Sequence, residues 1–263
     1  MGTTTRLAFA AVVVLAAGSA HAAGISYDAT LAPPGAYYGG GNFSTHFVTD
    51  TETYGQGGAD TVEVGLGTVT RYTGPVTPDP LTSIYHVPTG NTIVSGKAGA
   101  NWGFPFSLNL NTSSAASSAT LGDVVTSLSI YDGAHHNTVA FDPLAFLLDN
   151  AEYGPLGMTS DCKTTPAKCG ASQLGFQNSE ALSFVNGVPA FDPFYDANEN
   201  NTFVIAFSAT CATGATTCTP GQTLGAVSET VIQGTGAVPE PGTLALLGVG
   251  CVGLLGLRRR RTV

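Results

Sequence analysis

The chain has 263 residues, a formal net charge of −9 and only 10% charged residues. Five of its nine basic residues, Arg6 and Arg258–Arg261, lie near the termini. The body therefore has no Lys/Arg cluster with which to neutralise phosphates, and this excludes nucleic acid as a partner.

Arg6 is the only charged side chain in the first 27 residues, and an unbroken apolar run follows it from Leu7 to Ala17. Ala20-His21-Ala22 then supplies a small-x-small cleavage site. Basic start, apolar centre and small-residue site together predict a signal helix removed by signal peptidase after export through the Sec machinery. The expected cut follows Ala22, with Ala23 as the alternative. Without Arg6 and Arg258–Arg261, four basic residues face 18 acidic ones, a net charge of −14. That balance suits a hydrated matrix and divalent cations.

The segments between the two ends read as strands. Thr, Ser, Gly, Ala and Asn dominate, and β-branched or aromatic runs are punctuated by Gly, Pro, Asn and Asp. Strands are expected at Phe43–Val48, Thr61–Tyr72, Thr92–Ser95, Phe104–Leu110 and Val124–Tyr131. Others are expected at Thr138–Phe141, Ala181–Val185, Thr202–Thr210 and Gln222–Ile232, with one short helix at Leu144–Asn150. About nine short strands predict an all-β fold, a β-sandwich, with a jelly roll or barrel as the alternative closure.

Trp102 with Tyr37, Tyr38 or Tyr54 could form a sugar-stacking platform, although a core Trp is the simpler reading. His135-His136 follow Asp132 in a hairpin loop, and neighbouring histidines on a strand point to opposite faces. His46 and His86 stand singly. Cys162 and Cys169 share the same spacing as Cys211 and Cys218. An oxidising envelope favours disulfides, and the local pairs Cys162–Cys169 and Cys211–Cys218 are preferred among three connectivities. A six-residue gap is too long for an ordinary zinc pair.

Asp196-x-Asn198-x-Asn200 matches the first half of a calcium loop, whose oxygens alternate around one ion. Asn201 stands where that loop needs Gly, and Phe207 where it needs Glu. An Asx-rich turn competes with the calcium reading. No nucleophile elbow, zinc-protease helix, phosphate loop or dinucleotide fingerprint occurs, and no enzyme is expected.

At the C-terminus, Val238-Pro239-Glu240-Pro241 precedes an uncharged run from Gly242 to Leu257 and then Arg258, Arg259, Arg260 and Arg261. A helix over that run would rise about 24 Å. This spans a membrane if the arginine stems snorkel and the bilayer thins. The arginines stay on the cytoplasmic side, which leaves Pro-Glu-Pro at the outer face.

This three-part tail resembles the PEP-CTERM sorting domain of Gram-negative, exopolysaccharide-producing bacteria. The same tail is also labelled an ice-binding protein C-terminal domain, a label that describes the tail alone. The resemblance implies recognition by an exosortase, a membrane-embedded cysteine protease-transpeptidase. It would cut near Pro-Glu-Pro and pass the protein from the inner membrane to the cell surface or extracellular matrix. The expected organisation is a signal peptide at 1–22, a β-sandwich passenger at 23–233, a spacer at 234–237 and the sorting signal at 238–263. The passenger is expected to be a structural or adhesive component of a matrix or biofilm. The alternatives are an exopolysaccharide-binding module, with or without calcium, and a secreted hydrolase. No other cofactor is expected.

Overall fold

The computed structural model describes residues 25–32, 46–55, 60–71, 73–94, 97–110, 119–181, 196 and 198–234. The signal peptide, the sorting motif, the apolar run, the arginine block, Tyr37, Tyr38 and residues 182–185 lie outside them. Among the described residues no helix is long and apolar enough to cross a membrane.

Fifteen strands are described. They are β1 (Ser26–Ala29), β2 (Phe47–Tyr54), β3 (Asp60–Gly67), β4 (Val69–Thr70), β5 (Gly74–Pro75), β6 (Ile84–Val87), β7 (Asn91–Val94) and β8 (Lys97–Ala100). Then follow β9 (Trp102–Asn109), β10 (Val124–Asp132), β11 (Asn137–Phe141), β12 (Ala151–Tyr153), β13 (Gly175–Ala181), β14 (Asn201–Cys211) and β15 (Thr223–Gln233). A single α-helical turn, α1, covers Pro143–Phe146.

The strands form two main open sheets and one small hairpin, β7–β8. The larger sheet runs β1-β2-β3-β9-β13-β12, with β4 beside β9 and β5 beside β4. The smaller runs β11-β10-β14-β15-β6. All its pairs are antiparallel except β15 with β6.

The two sheets meet face to face because each contributes an alternating apolar row. In β14, Phe203, Ile205, Phe207 and Ala209 are buried while Thr202 and Val204, on the opposite face, are exposed. Their counterparts on β9 are Trp102, Phe104, Phe106 and Leu108, all at 0% exposure. The rings interleave across the gap. Trp102 lies 5.5 Å from Phe203 between centroids, Phe106 5.4 Å from Phe207, and Phe176 stands edge-on to Phe207 at 6.2 Å. Offset and edge contacts of this kind suit the ring quadrupoles.

The expected strands recur with corrected bounds, except Ala181–Val185, of which only Ala181 lies among the described residues, as the last residue of β13. Thr61–Tyr72 is broken at Thr68, so β3 and β4 pair with different halves of β9. Thr68 turns inward instead, and its hydroxyl donates to Glu229 at 3.1 Å. The helix is shorter than Leu144–Asn150. Asp142 caps it by accepting from the Leu144 amide, and Pro143 occupies its first turn, a favourable N-terminal combination. Six strands carry no expectation from the sequence: β1, β5, β6, β8, β12 and β13, the last touching an expected strand only at Ala181.

Both disulfides pair locally, Cys162 with Cys169 and Cys211 with Cys218. The first clips the 154–173 excursion between β12 and β13. The second closes the turn between β14 and β15.

The outer faces of the two sheets differ. On the larger sheet, Glu63, Ser107, Asn109 and Gln177 point away from the sandwich core yet are buried. Leu31 lies over this face near Gly65, and the Ala32 amide donates to both Glu63 oxygens at 2.9 and 3.1 Å. Burial pushes the Glu63 carboxyl above its usual range, against the pull of the Ala32 amide. On the smaller sheet the outer face is open to solvent, and Val125, Val204, Ala226 and Ser228 are exposed there.

Candidate functional site

The sandwich end from which the C-terminal tail departs is built on one side chain, Gln233. It is the last residue of β15 and is 0% exposed. Its Oε1 accepts from Trp102 Nε1 at 2.7 Å. Its Nε2 donates to the carbonyls of Asp196 at 3.1 Å and Glu199 at 2.8 Å. The next amide, Gly234, donates to Val87 O at 2.8 Å. Three segments distant in sequence thus converge on the point where the fold ends.

A second ring of bonds holds the loop that Gln233 grips. Asn201 donates from Nδ2 to Asp132 Oδ1 at 2.8 Å and accepts the Ala134 amide at 2.9 Å. Asp132 also accepts from His135 Nδ1 at 2.9 Å. The other ring nitrogen of His135 faces Glu199 Oε2 at 3.7 Å. Burial alone would raise the Asp132 carboxyl. The Asn201 and His135 hydrogen bonds and the His135 charge outweigh it and hold the group below its usual range. His136 points elsewhere and meets Tyr131 Oη at 3.0 Å. The two histidines therefore separate, as their adjacency implies, within the 133–136 turn.

The remaining sites named from sequence fall as follows. Asp196, Asn198 and Asn200 sit at the turn leading into β14, all exposed. Asp196 Oδ1 accepts from the Asn198 backbone at 2.8 Å and from its side-chain amide at 3.3 Å. That is Asx-turn geometry, with Asn198 presenting a donor to the carboxylate.

Trp102 and Tyr54 do not make a sugar platform. Both are buried, and Tyr54 Oη donates to Leu110 O at 2.8 Å. His46 is paired with Asp28. His86 is exposed on β6. Among the described residues, Glu152, Cys162 and Cys169 bring three donor atoms within 4.8 Å of one another. Both sulfurs are consumed by their disulfide. The Glu152 carboxylate accepts the Gly170 amide at 2.8 Å, and burial raises its pKa despite that bond.

Two acids inside the sandwich are more strongly altered. Burial pushes Glu229 up to about 8, with the Thr68 hydroxyl opposing the shift. Burial, joined by the Asp149 charge and opposed by Arg71, pushes Glu180 up to about 8. Both are protonated well into the neutral range and face the interior.

Sequence reasoning did not single out Gln233 or Asn201. Each is a polar residue at an inward position of an otherwise apolar alternation, and that is the signal that would have found them.

Beyond Gly234 lies the tail whose exit these bonds fix. Residues 237–261 match the PEP-CTERM protein-sorting motif. No curated protein and no solved structure matches the chain. The PEP-CTERM motif implies exosortase-dependent export of a surface protein, with the exosortase as processing partner. Ala20, Ala22, Ala23, the Val238–Pro241 motif and Arg258–Arg261 all lie outside the described residues.

Proposed function

We propose that the mature domain is a non-enzymatic structural or adhesive component of the surface or extracellular matrix of a Gram-negative bacterium. An exosortase releases it from an inner-membrane intermediate. The PEP-CTERM motif at 237–261 carries the reading. Its supporting geometry is the Gln233 anchor. Eight residues, 234–241, join the folded edge to the start of the apolar run, a reach of at most about 27 Å. The folded domain therefore follows closely behind the membrane segment, with Pro-Glu-Pro between the two. Glu229 and Glu180, the acids whose chemistry is most altered, are 2% and 8% exposed, out of reach of a polymeric substrate.

Mass spectrometry of the protein recovered from its host's surface tests this. The expected product begins near Ala23 and lacks Arg258–Arg261. A product that still ends in Val263 would overturn exosortase handling. Retention of the domain on exopolysaccharide that EDTA abolishes would instead make it a calcium-assisted binding module.

A further inference from the structure

Across all five strands the outward positions of the smaller sheet hold no Asp, Glu, Lys or Arg; the one histidine among them is His86, exposed on the edge strand β6 beside Ile232. The strand registers place its outward residues in rows. Ser127 lies beside Ser208, which lies beside Ala226. Ala140, Ser129, Ala206 and Ser228 form the next row, and Thr138, Tyr131, Val204, Thr230 and Ile84 the one after it. None of these outward positions holds Asp, Glu, Lys or Arg, although the processed chain carries a net charge of −14. The acids of the same strands, Asp132 and Glu229, point inward and are 3% and 2% exposed.

We infer that this face binds a second copy of the same domain, sheet against sheet about a two-fold axis. The inference names the partner within the structural reading above and rests on that reading. Charge argues for a copy meeting here. Two acidic molecules repel wherever their carboxylates approach, and the outward strand positions present none; Asp79 stands at the rim, beside His86 at the β6 edge. Size argues the same way. Three strands of 9–11 residues and two of 4–5, spaced about 4.8 Å apart with about 3.4 Å per residue, cover about 600 Å². A stable specific interface buries about 800 Å² per partner. The face therefore supports a reversible dimer that fills where the protein is concentrated, as in a matrix. Small Ser, Ala and Thr side chains let two sheets approach closely, as sheets do inside a sandwich. Tyr131 is the one Phe, Tyr or Trp on the face among the described residues, and a stacking platform for sugars needs more aromatic surface than that.

The test is sedimentation of the full chain in excess detergent micelles across a concentration series. The wild type should pass from monomer to dimer at about 10–100 µM. Added salt should strengthen the dimer by screening the acidic charge. A Val204→Glu/Ser208→Glu double variant should remain monomeric at least tenfold higher in concentration. Thr53→Glu, on the larger sheet, should behave as wild type. Ser127→Lys/Ser228→Lys, on other strands of the same face, guards against one variant failing to fold.

Undiminished dimerisation in both face variants would assign association to the apolar tail and overturn the inference. So would a wild type monomeric throughout. So would a monomer retained on a neutral polysaccharide through this face, because the occupant would then be a glycan. Processing at the sorting motif is read separately by the termini of the mature protein, so either claim can fail alone.

Discussion

The two outer faces of the sandwich solve opposite problems. On the larger sheet, polar residues face away from the core and are nevertheless buried. Each is held by a bond such as Ala32 N to Glu63 or Gln177 to Ser107 at 3.1 Å. On the smaller sheet, uncharged Ser, Thr, Ala and Val side chains stand in solvent. The covered face depends on matched bonds and on glycine-sized gaps, and the open one depends on neither. Polarity in a sequence is thus a poor guide to exposure in this fold. A buried polar group survives wherever a partner is fixed opposite it.

The largest expected break in that comparison is Gly175→Val on the covered face. A Cβ at Gly175 would lie 2.2 Å from Tyr153 Oη and 2.5 Å from the Leu108 carbonyl. Backbone cannot yield as a flexible side-chain tip does. The variant should lose about 3 kcal/mol or more, read as a fall of about 10 °C in thermal midpoint. An unchanged midpoint would mean that the β12–β13 edge is looser than its pairing indicates.

A pH-dependent effect separates the two sides of the smaller sheet. Its outer side holds no ionisable acid, while its inner side holds Glu229. The folded Glu229 titrates near 8 and its ordinary value is 4.5. The native chain therefore keeps a proton that the unfolded chain releases. This contribution is complete below about pH 4.5 and is lost as pH rises towards and through 8, at up to about 1.4 kcal/mol per pH unit. Glu229→Gln keeps an acceptor for the Thr68 hydroxyl and removes the titration. Its thermal midpoint should exceed wild type at pH 8 and match it near pH 4. Parallel curves at all pH values would place the titrating group elsewhere, with Glu180 the first suspect.

The smallest effect belongs to the open face itself. Ser228→Thr adds a methyl group to an exposed strand position and should change stability by less than about 0.5 kcal/mol, measured by urea unfolding. A change above about 1 kcal/mol would show that something already packs on this face.

How much of this was legible in the sequence depends on whether a strand has one wet side. β10, β14 and β15 do; in β10 the alternation gives both the strand and its facing, whereas the Phe-Val-Ile-Ala-Phe run of β14 reads as a strand buried on both sides. β13 reads Gly-Phe-Gln-Asn-Ser-Glu-Ala and is buried along most of both sides, so no period appears. Its Asn178 donates to Asp149 and Asn150, each at 3.0 Å, partners that lie 28 and 29 residues away. β6 is only four residues long and pairs in parallel with a strand some 145 residues later, beyond any local signal. The disulfide pairs were legible because both closed short polar loops. The role of Gln233 was not, because a single glutamine in a strand looks like an outward residue until its partners are known.

The grip on Gln233 has a mechanical consequence. β15 lies inside its sheet, bonded along eleven residues to β14 and at its C-terminal end to β6. A pull on the tail runs along the axis of β15 and loads those bonds together, in shear. A pull across the strands would instead unzip one pair at a time, and an edge strand would share the load with one neighbour rather than two. A domain moored by its C-terminus would thus meet drag from flowing water in its most resistant direction, and the load would pass first into the Trp102–Gln233 contact at the centre of the fold.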